Sequence, residues 1–180
     1  MNSDLSLLLW FNGHHSPALD QVAMILTSGF TWIPLYLLLL FLIVRRYSRR
    51  TVWKILGCVA LCLLLSDGLP DGIVKPLVGR LRPSHDPALS SMLHIVDNHR
   101  NTLYGFFSAH ASNTMGIALF FSLLLRNPIL VATLMCWVLV NCWTRMYLGL
   151  HYPSDILVGL LWGAVSATVA YTCLRRVQSS

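Results

Sequence analysis

Glutamate is absent from the 180 residues, and only 11% of the chain is charged. Set against 56% hydrophobic residues, that scarcity excludes an ordinary soluble domain, in which about a quarter of residues carry charge. Cysteine is too few and too deeply placed to make a framework. Cys58, Cys62, Cys136, Cys142 and Cys173 all fall in apolar runs, where a thiol behaves as a small hydrophobe, and five is an odd number. Neither disulfides nor a Cys-ligated metal are expected. Internal repeats, low-complexity stretches and dividing linkers are missing too, so one domain over residues 1–180 is expected. A cleavable signal peptide would want a basic start and a small-residue cleavage site, and the N-terminus has neither.

What the chain has is apolar runs long enough to cross a hydrocarbon core of roughly 30 Å, which takes about 20 helical residues. Four are clear: Val52–Ile73, Leu103–Leu125, Pro128–Tyr147 and Ser154–Leu174. A fifth, from about Ser28 to Val44, carries Pro34, which neighbouring helices can accommodate. The pattern predicts an all-α, polytopic transmembrane bundle of about five spans. Residues 1–27 read as helical pieces broken at Asn12, Gly13 and Pro17, forming an amphipathic segment at the interface. Within the longest polar stretch, Leu89, Met92, Leu93 and Val96 keep helical spacing, which predicts a short surface helix over Pro87–Val96.

A formal charge of +6 raises nucleic acid as a partner, but the positions of the cations dispose of it. Arg45, Arg46, Arg49, Arg50, Lys54, Arg126, Arg175 and Arg176 occupy alternate loops or ends, which the positive-inside rule assigns to the cytoplasm. Lys75, Arg80, Arg82, Arg100 and Arg145 then face outward with all seven aspartates. Topology accounts for the basic excess, with +8 inside and −2 outside. It predicts Arg49 inside and His99 outside, and no nucleic-acid partner.

The outward cations sit in informative surroundings. Lys75 and Arg82-Pro83 are separated by six residues; Ser108-Ala109-His110 opens a span; Arg145 precedes His151 by five intervening residues, and Asp155 follows after three more. Singly each has a plain reading. Lys75 can snorkel, Arg82 and Arg145 can anchor at the interface, and Asp155 beside Ser154 can favour a helix start. Together, on one face, they supply what phosphate-ester cleavage needs: cations for the phosphoryl oxygens, a nucleophile, and a proton for the leaving oxygen. Spacing alone does not tell His110 from His151. Asp67, Asp71 and Lys75 share one helical face, which predicts an Asp71–Lys75 pair. His85, His94 and His99 lie near Asp86 and Asp97 in a spacing that fits no compact metal-ligand motif, so no metal site is expected.

The stretches KPLVGRLRP, FSAH and TRMYLGLHYPSD resemble the three-part signature of the type 2 phosphatidic acid phosphatase (PAP2) superfamily, over about residues 52–174. Phe107, Ala109 and Thr144 stand where that pattern usually has Pro, Gly and Ser; none of the three removes an ionisable group. The resemblance implies a metal- and cofactor-independent phosphatase. In it His151 is the nucleophile oriented by Asp155, and His110 protonates the leaving group. Lys75, Arg82, Ser108, Ala109 and Arg145 bind phosphate, and Arg80 is a candidate headgroup contact. The expected substrate is a lipid phosphate or diphosphate at the outer membrane–water interface of a bacterial plasma membrane. Undecaprenyl diphosphate, favoured over the others, stands beside phosphatidylglycerophosphate, phosphatidic acid and lipid A phosphates. A headgroup-binding or lipid-moving module without catalysis, and a phosphotransferase to an acceptor other than water, are the competing readings; oligomeric state is left open.

Overall fold

The computed structural model describes residues 3–68 and 70–179, without the side chains of Asp71 and Ser179. Helices make up the bundle: α1 (Ser3–Gly13), α2 (Pro17–Thr27), α3 (Ile33–Arg46, entered through a 3₁₀ turn at Gly29–Trp32), α4 (Arg49–Leu63), the single turn α5 (Lys75–Val78), α6 (Ala109–Leu125), α7 (Pro128–Tyr147) and α8 (Pro153–Ser179). Their starts follow local chemistry. Ser16, Ser48, Ser108 and Asn127 each accept a backbone N–H three residues ahead, and Pro17, Pro128 and Pro153 occupy first positions, where no N–H is required.

Gly29–Arg46, Arg49–Val78, Pro128–Tyr147 and Pro153–Gln178 are long and apolar enough to cross a membrane. The run expected over Leu103–Leu125 yields α6, which is shorter at 17 residues and lies mostly buried, so protein rather than lipid is its main solvent. It begins six residues later than the hydrophobic run suggests, because residues 103–105 are drawn into pairing with residues 80–82 and Ser108 sets the cap. The outward faces carry Leu37, Phe41, Ile129, Leu139, Leu157 and Leu161, all exposed, as expected of a surface that meets hydrocarbon.

Two helices define the bundle axis. Along α8, Gly159, Gly163 and Ala167 recur every fourth residue and let α6 approach closely. A Cβ at Gly159 would lie 2.6 Å from the Ser108 carbonyl oxygen, and one at Gly163 would run into the Ser112 carbonyl. This is the small-residue packing of membrane helices, in which close backbone approach replaces hydrophobic drive. It also brings the N-termini of α6 and α8 together, where the Ser108 N–H donates to the Asp155 backbone oxygen at 3.1 Å.

The second span departs from regular α geometry. After Leu63 it widens into π-helical turns at Leu64–Gly68 and Pro70–Val74 before α5. Pro70 and Pro76 each remove a backbone donor here, and the Ser66 hydroxyl bonds the Cys62 carbonyl at 2.7 Å. Asp67 and Lys75 nonetheless line the same cavity, and the Asp71–Lys75 pair lies outside the described residues.

Helices α1 and α2 pack on α7 with Leu8 and Ala23 fully buried. The buried Asn12 amide donates to the carbonyls of Tyr147 (2.7 Å) and His94 (2.9 Å) and accepts the His94 N–H (2.8 Å). That grip explains a correction: Pro87–Val96 forms successive turns, not a surface helix. The His94 backbone bonds α1, and Leu93 packs with Leu8 and Tyr152.

Candidate active site

The three stretches of the signature meet at one end of the bundle. Lys75 opens α5, which stops after one turn because Gly79 takes a left-handed conformation (φ 62°). The chain then runs extended, with Arg82 N–H bonded to Leu103 O and Gly105 N–H to Arg80 O. Residues two apart on an extended segment share a side, so Arg80 and Arg82 both turn toward the α7–α8 corner. Gly105 is needed there, since a Cβ would lie 2.9 Å from Arg82 Cγ. Arg145 lies in the last turn of α7, and a reversal through Gly149 (φ 66°) delivers His151 just before α8. His110 and Ala109 form the first turn of α6.

Lys75, Arg82, Ala109, His110, Arg145 and His151 line one cavity of about 430 Å³, with Asp67, Asn101 and Thr102 completing its wall. Ser108 and Asp155 are both wholly buried and do not line this cavity. Ser108 Oγ caps α6 by accepting the Ala111 N–H at 3.4 Å. One carboxylate oxygen of Asp155 accepts the Tyr152 N–H at 3.1 Å, so this residue shapes the start of α8 as well as facing His151.

The geometry decides the tautomer of His151. Arg82 Nη1 lies 2.6 Å from its Nε2, and a guanidinium can only donate, so Nε2 carries the lone pair and Nδ1 the proton. Nδ1 points toward Asp155 Oδ2 at 3.7 Å, beyond hydrogen-bond distance, and has no hydrogen-bond partner among the described residues. Burial, together with the cationic Arg82, Arg145 and Lys75, holds the imidazole well below the ordinary histidine pKa and therefore neutral. Arg82 is further fixed by donating to the carbonyls of Thr102 (2.7 Å) and Leu150 (3.1 Å).

Arg80 is engaged with the protein itself. Its guanidinium donates to Asp155 Oδ1 (2.7 Å), Ser154 Oγ (2.8 Å) and Asp4 Oδ2 (2.9 Å), and stacks over the Tyr152 ring at 4.0 Å. Burial works against the charge on Asp4, but bonds from Ser154 and Arg80 outweigh it and hold that carboxyl below its usual range. Arg145 is 2% exposed; its Nη1 donates to Thr27 Oγ1 at 2.6 Å, and its Nε has no hydrogen-bond partner among the described residues. Asp67 accepts from the Asn113 amide at 3.0 Å. Among the described residues no group of three or more His, Cys, Asp or Glu side chains is placed to hold a metal ion; His94 bonds Asp20 and stacks on His15. Asp4, Thr27, Asn101 and Thr102 escape a reading of the motifs, because no local spacing ties them to the site.

Comparison with known proteins identifies the family. The family model of the PAP2 superfamily matches residues 51–179. The lipid A 4'-phosphatase of Bacteroides thetaiotaomicron is 35% identical over 93% of this chain and 75% of its own length; that of Porphyromonas gingivalis is 31% identical over 92% and 70%. The crystal structure of Aquifex aeolicus LpxE shares the fold, with a TM-score of 0.68 at 21% identity over 93% of this chain and 94% of that one. The chain therefore belongs to the PAP2 superfamily, and it is a phosphatase built as a transmembrane helical bundle.

Proposed function

We propose that this protein hydrolyses a lipid phosphate by transient phosphorylation of His151. The observation that carries the reading is the Nε2 lone pair of a neutral, buried imidazole, aimed into a cavity walled by Lys75, Arg82 and Arg145. Phosphate oxygens compete for the guanidinium N–H groups that Arg82 otherwise gives to Nε2, so binding of the anion frees the nucleophile it is to meet. Nε2 then forms a bond to phosphorus as the bond to the lipid oxygen breaks. His110 gives its proton to that oxygen. Closing the gap between Nδ1 and Asp155 stabilises the positive charge that develops on the ring, the logic of an oriented catalytic histidine. A water, losing a proton to His110, attacks the phosphohistidine and releases phosphate. Ala109 offers its backbone at the start of α6, and Ser108 sets that start.

For the substrate, the names of the two bacterial relatives support a lipid A phosphate over the undecaprenyl carrier favoured on sequence alone. Positive-inside charge supports a site facing the periplasm of a bacterial inner membrane. The test is phosphate release by purified protein, with chelator present, from a panel of lipid A, undecaprenyl diphosphate, phosphatidylglycerophosphate and phosphatidic acid. Lipid A is expected to be cleaved fastest, and His151→Ala to lose at least about 10³-fold in rate. Equal release by His151→Ala ends the nucleophile assignment. Preference for another lipid ends the substrate assignment alone.

A further inference from the structure

The deepest cation of the cavity is oriented by a residue outside the signature. Arg145 forms no ion pair with a carboxylate among the described residues. A buried guanidinium in this state keeps its charge for an incoming anion, but it also needs something neutral to set its direction. The Thr27 hydroxyl does this, accepting from Nη1 at 2.6 Å, while Nε has no hydrogen-bond partner among the described residues. Thr27 thus reaches from the N-terminal helices to a cation of the cavity.

Its own position is secured. Thr27 is the last residue of α2 and is buried. Beside it the Trp32 indole donates to Leu26 O at 2.9 Å, fixing the turn that follows. At the other end of α2, the Tyr147 hydroxyl donates to Asp20 at 2.6 Å and accepts the Ser16 N–H at 3.4 Å. Tyr147 lies two residues after Arg145, so α2 is pinned to the stretch of α7 that it orients.

We propose that Thr27 is a positioning residue of the phosphatase site, its hydroxyl directing Arg145, which makes the N-terminal helices, upstream of the matched residues 51–179, a working part of that site. The inference rests on the assignment of Arg145 to phosphate.

Thr27→Val removes the hydroxyl at nearly constant shape and keeps the backbone, whereas Thr27→Ser keeps both. In the full-length detergent-purified enzyme, Thr27→Val is expected to lower kcat/KM by about 10- to 100-fold and to weaken inhibition by orthovanadate by a similar factor. Thr27→Ser is expected to stay within about 3-fold of the parent. A double-mutant cycle separates positioning from general support: in an Arg145→Lys background, where no guanidinium remains to be directed, Thr27→Val should cost less than about 3-fold. Should Thr27→Val not fold, Thr27→Cys, with its weaker acceptor, takes its place in the same cycle. The proposal is overturned by a valine variant within 3-fold of the parent, by a full loss that persists in the lysine background, or by a serine variant that fails to restore activity. If Arg145→Lys itself leaves activity intact, the phosphate assignment of Arg145 fails and this inference with it. If Arg145→Lys is impaired and Thr27→Val is not, only the inference on Thr27 fails.

Discussion

Gly159 sits at a close approach of the two helices that carry His110 and Asp155, and replacing it by alanine tests whether that approach sets the catalytic geometry. An added Cβ would stand 2.6 Å from the Ser108 carbonyl oxygen and 3.1 Å from Ala111 Cβ, whereas ordinary contact begins near 3.4 Å. The obstacle is backbone, which cannot swing aside as a side-chain end can, so α6 and α8 must part by roughly 0.8 Å. Overpacking of this kind costs about 1–3 kcal/mol of stability. The catalytic cost is expected to be larger. The separation stretches the 3.1 Å bond from Ser108 N–H to Asp155 O, the direct tie between the first turns of the two helices. Displacements of about 1 Å at a reacting centre cost on the order of 10²-fold in rate. Gly57→Ala is the control, because nothing lies within 4 Å of its Cβ and alanine favours a helix interior by up to about 1 kcal/mol. Phosphate release is to be measured at a temperature well below the unfolding midpoint of both variants, so that folded enzyme is compared with folded enzyme. Gly159→Ala is expected to keep its fold and lose on the order of 10² in kcat, with Gly57→Ala unchanged. Full activity in Gly159→Ala, or equal losses in both, would refute the claim that close packing of α6 on α8 aligns the site.

Two further outcomes follow from the electrostatics. Protonation of His151 removes the attacking lone pair, so kcat/KM is retained above the pKa of the folded enzyme and lost as pH falls through it. Burial and the neighbouring cations depress that pKa, which places the acid limb below the usual histidine range; Arg82→Gln removes one of those cations and should move the limb to higher pH, with a static or falling limb refuting the assignment. Asp4→Asn leaves Arg80 with Asp155 as its remaining carboxylate partner, drawing the latter's charge away from the His151 ring. A fall of about 3- to 10-fold in kcat with little change in KM is expected, and an unchanged kcat contradicts it. Since the Arg80–Asp4 pair is partly exposed, the accompanying loss of stability should stay near or below about 1 kcal/mol.

What the sequence reveals and what it conceals divide along physical lines. Lys75, Arg82, His110, Arg145 and His151 are legible because phosphate chemistry restricts residue type, and because each sits near a helix end whose location hydropathy betrays. The four long apolar spans and the shorter α6 are legible because crossing or packing within a hydrocarbon core demands sustained apolar runs. Pro87–Val96 misleads because its helical spacing of apolar residues serves another purpose: Leu93 and Val96 dock on α1 and α7 while the intervening backbone turns. The π-helical turns after Leu63 are hidden because Pro70, Gly68 and Gly72 permit them without specifying them. Gly159 and Gly163, by contrast, are a visible four-residue pattern of small residues that a reading concerned with charge passes over.

The contacts that hold the site in place are the least legible part, and their separation in sequence explains why. Arg80 and Asp4 are 76 residues apart, and Arg145 and Thr27 are 118 apart. No periodicity or spacing rule reaches across such distances, so an aspartate and a threonine in the N-terminal helices look like ordinary interfacial residues until the fold is known. The chemistry explains why such supports are needed. Under the proposed function, a site that gathers Lys75, Arg82 and Arg145 around a neutral histidine would weaken its grip on phosphate if a carboxylate stood against each cation. Neutral or partly shared partners are the solution: a hydroxyl on Arg145, carbonyls and an imidazole on Arg82, and, for Arg80, which does not line the cavity, two carboxylates. A neutral partner on the buried Arg145, with the acidic partners of Arg80 set behind the cavity, lets the cluster be stable as a fold and leaves the Arg145 charge for an anion.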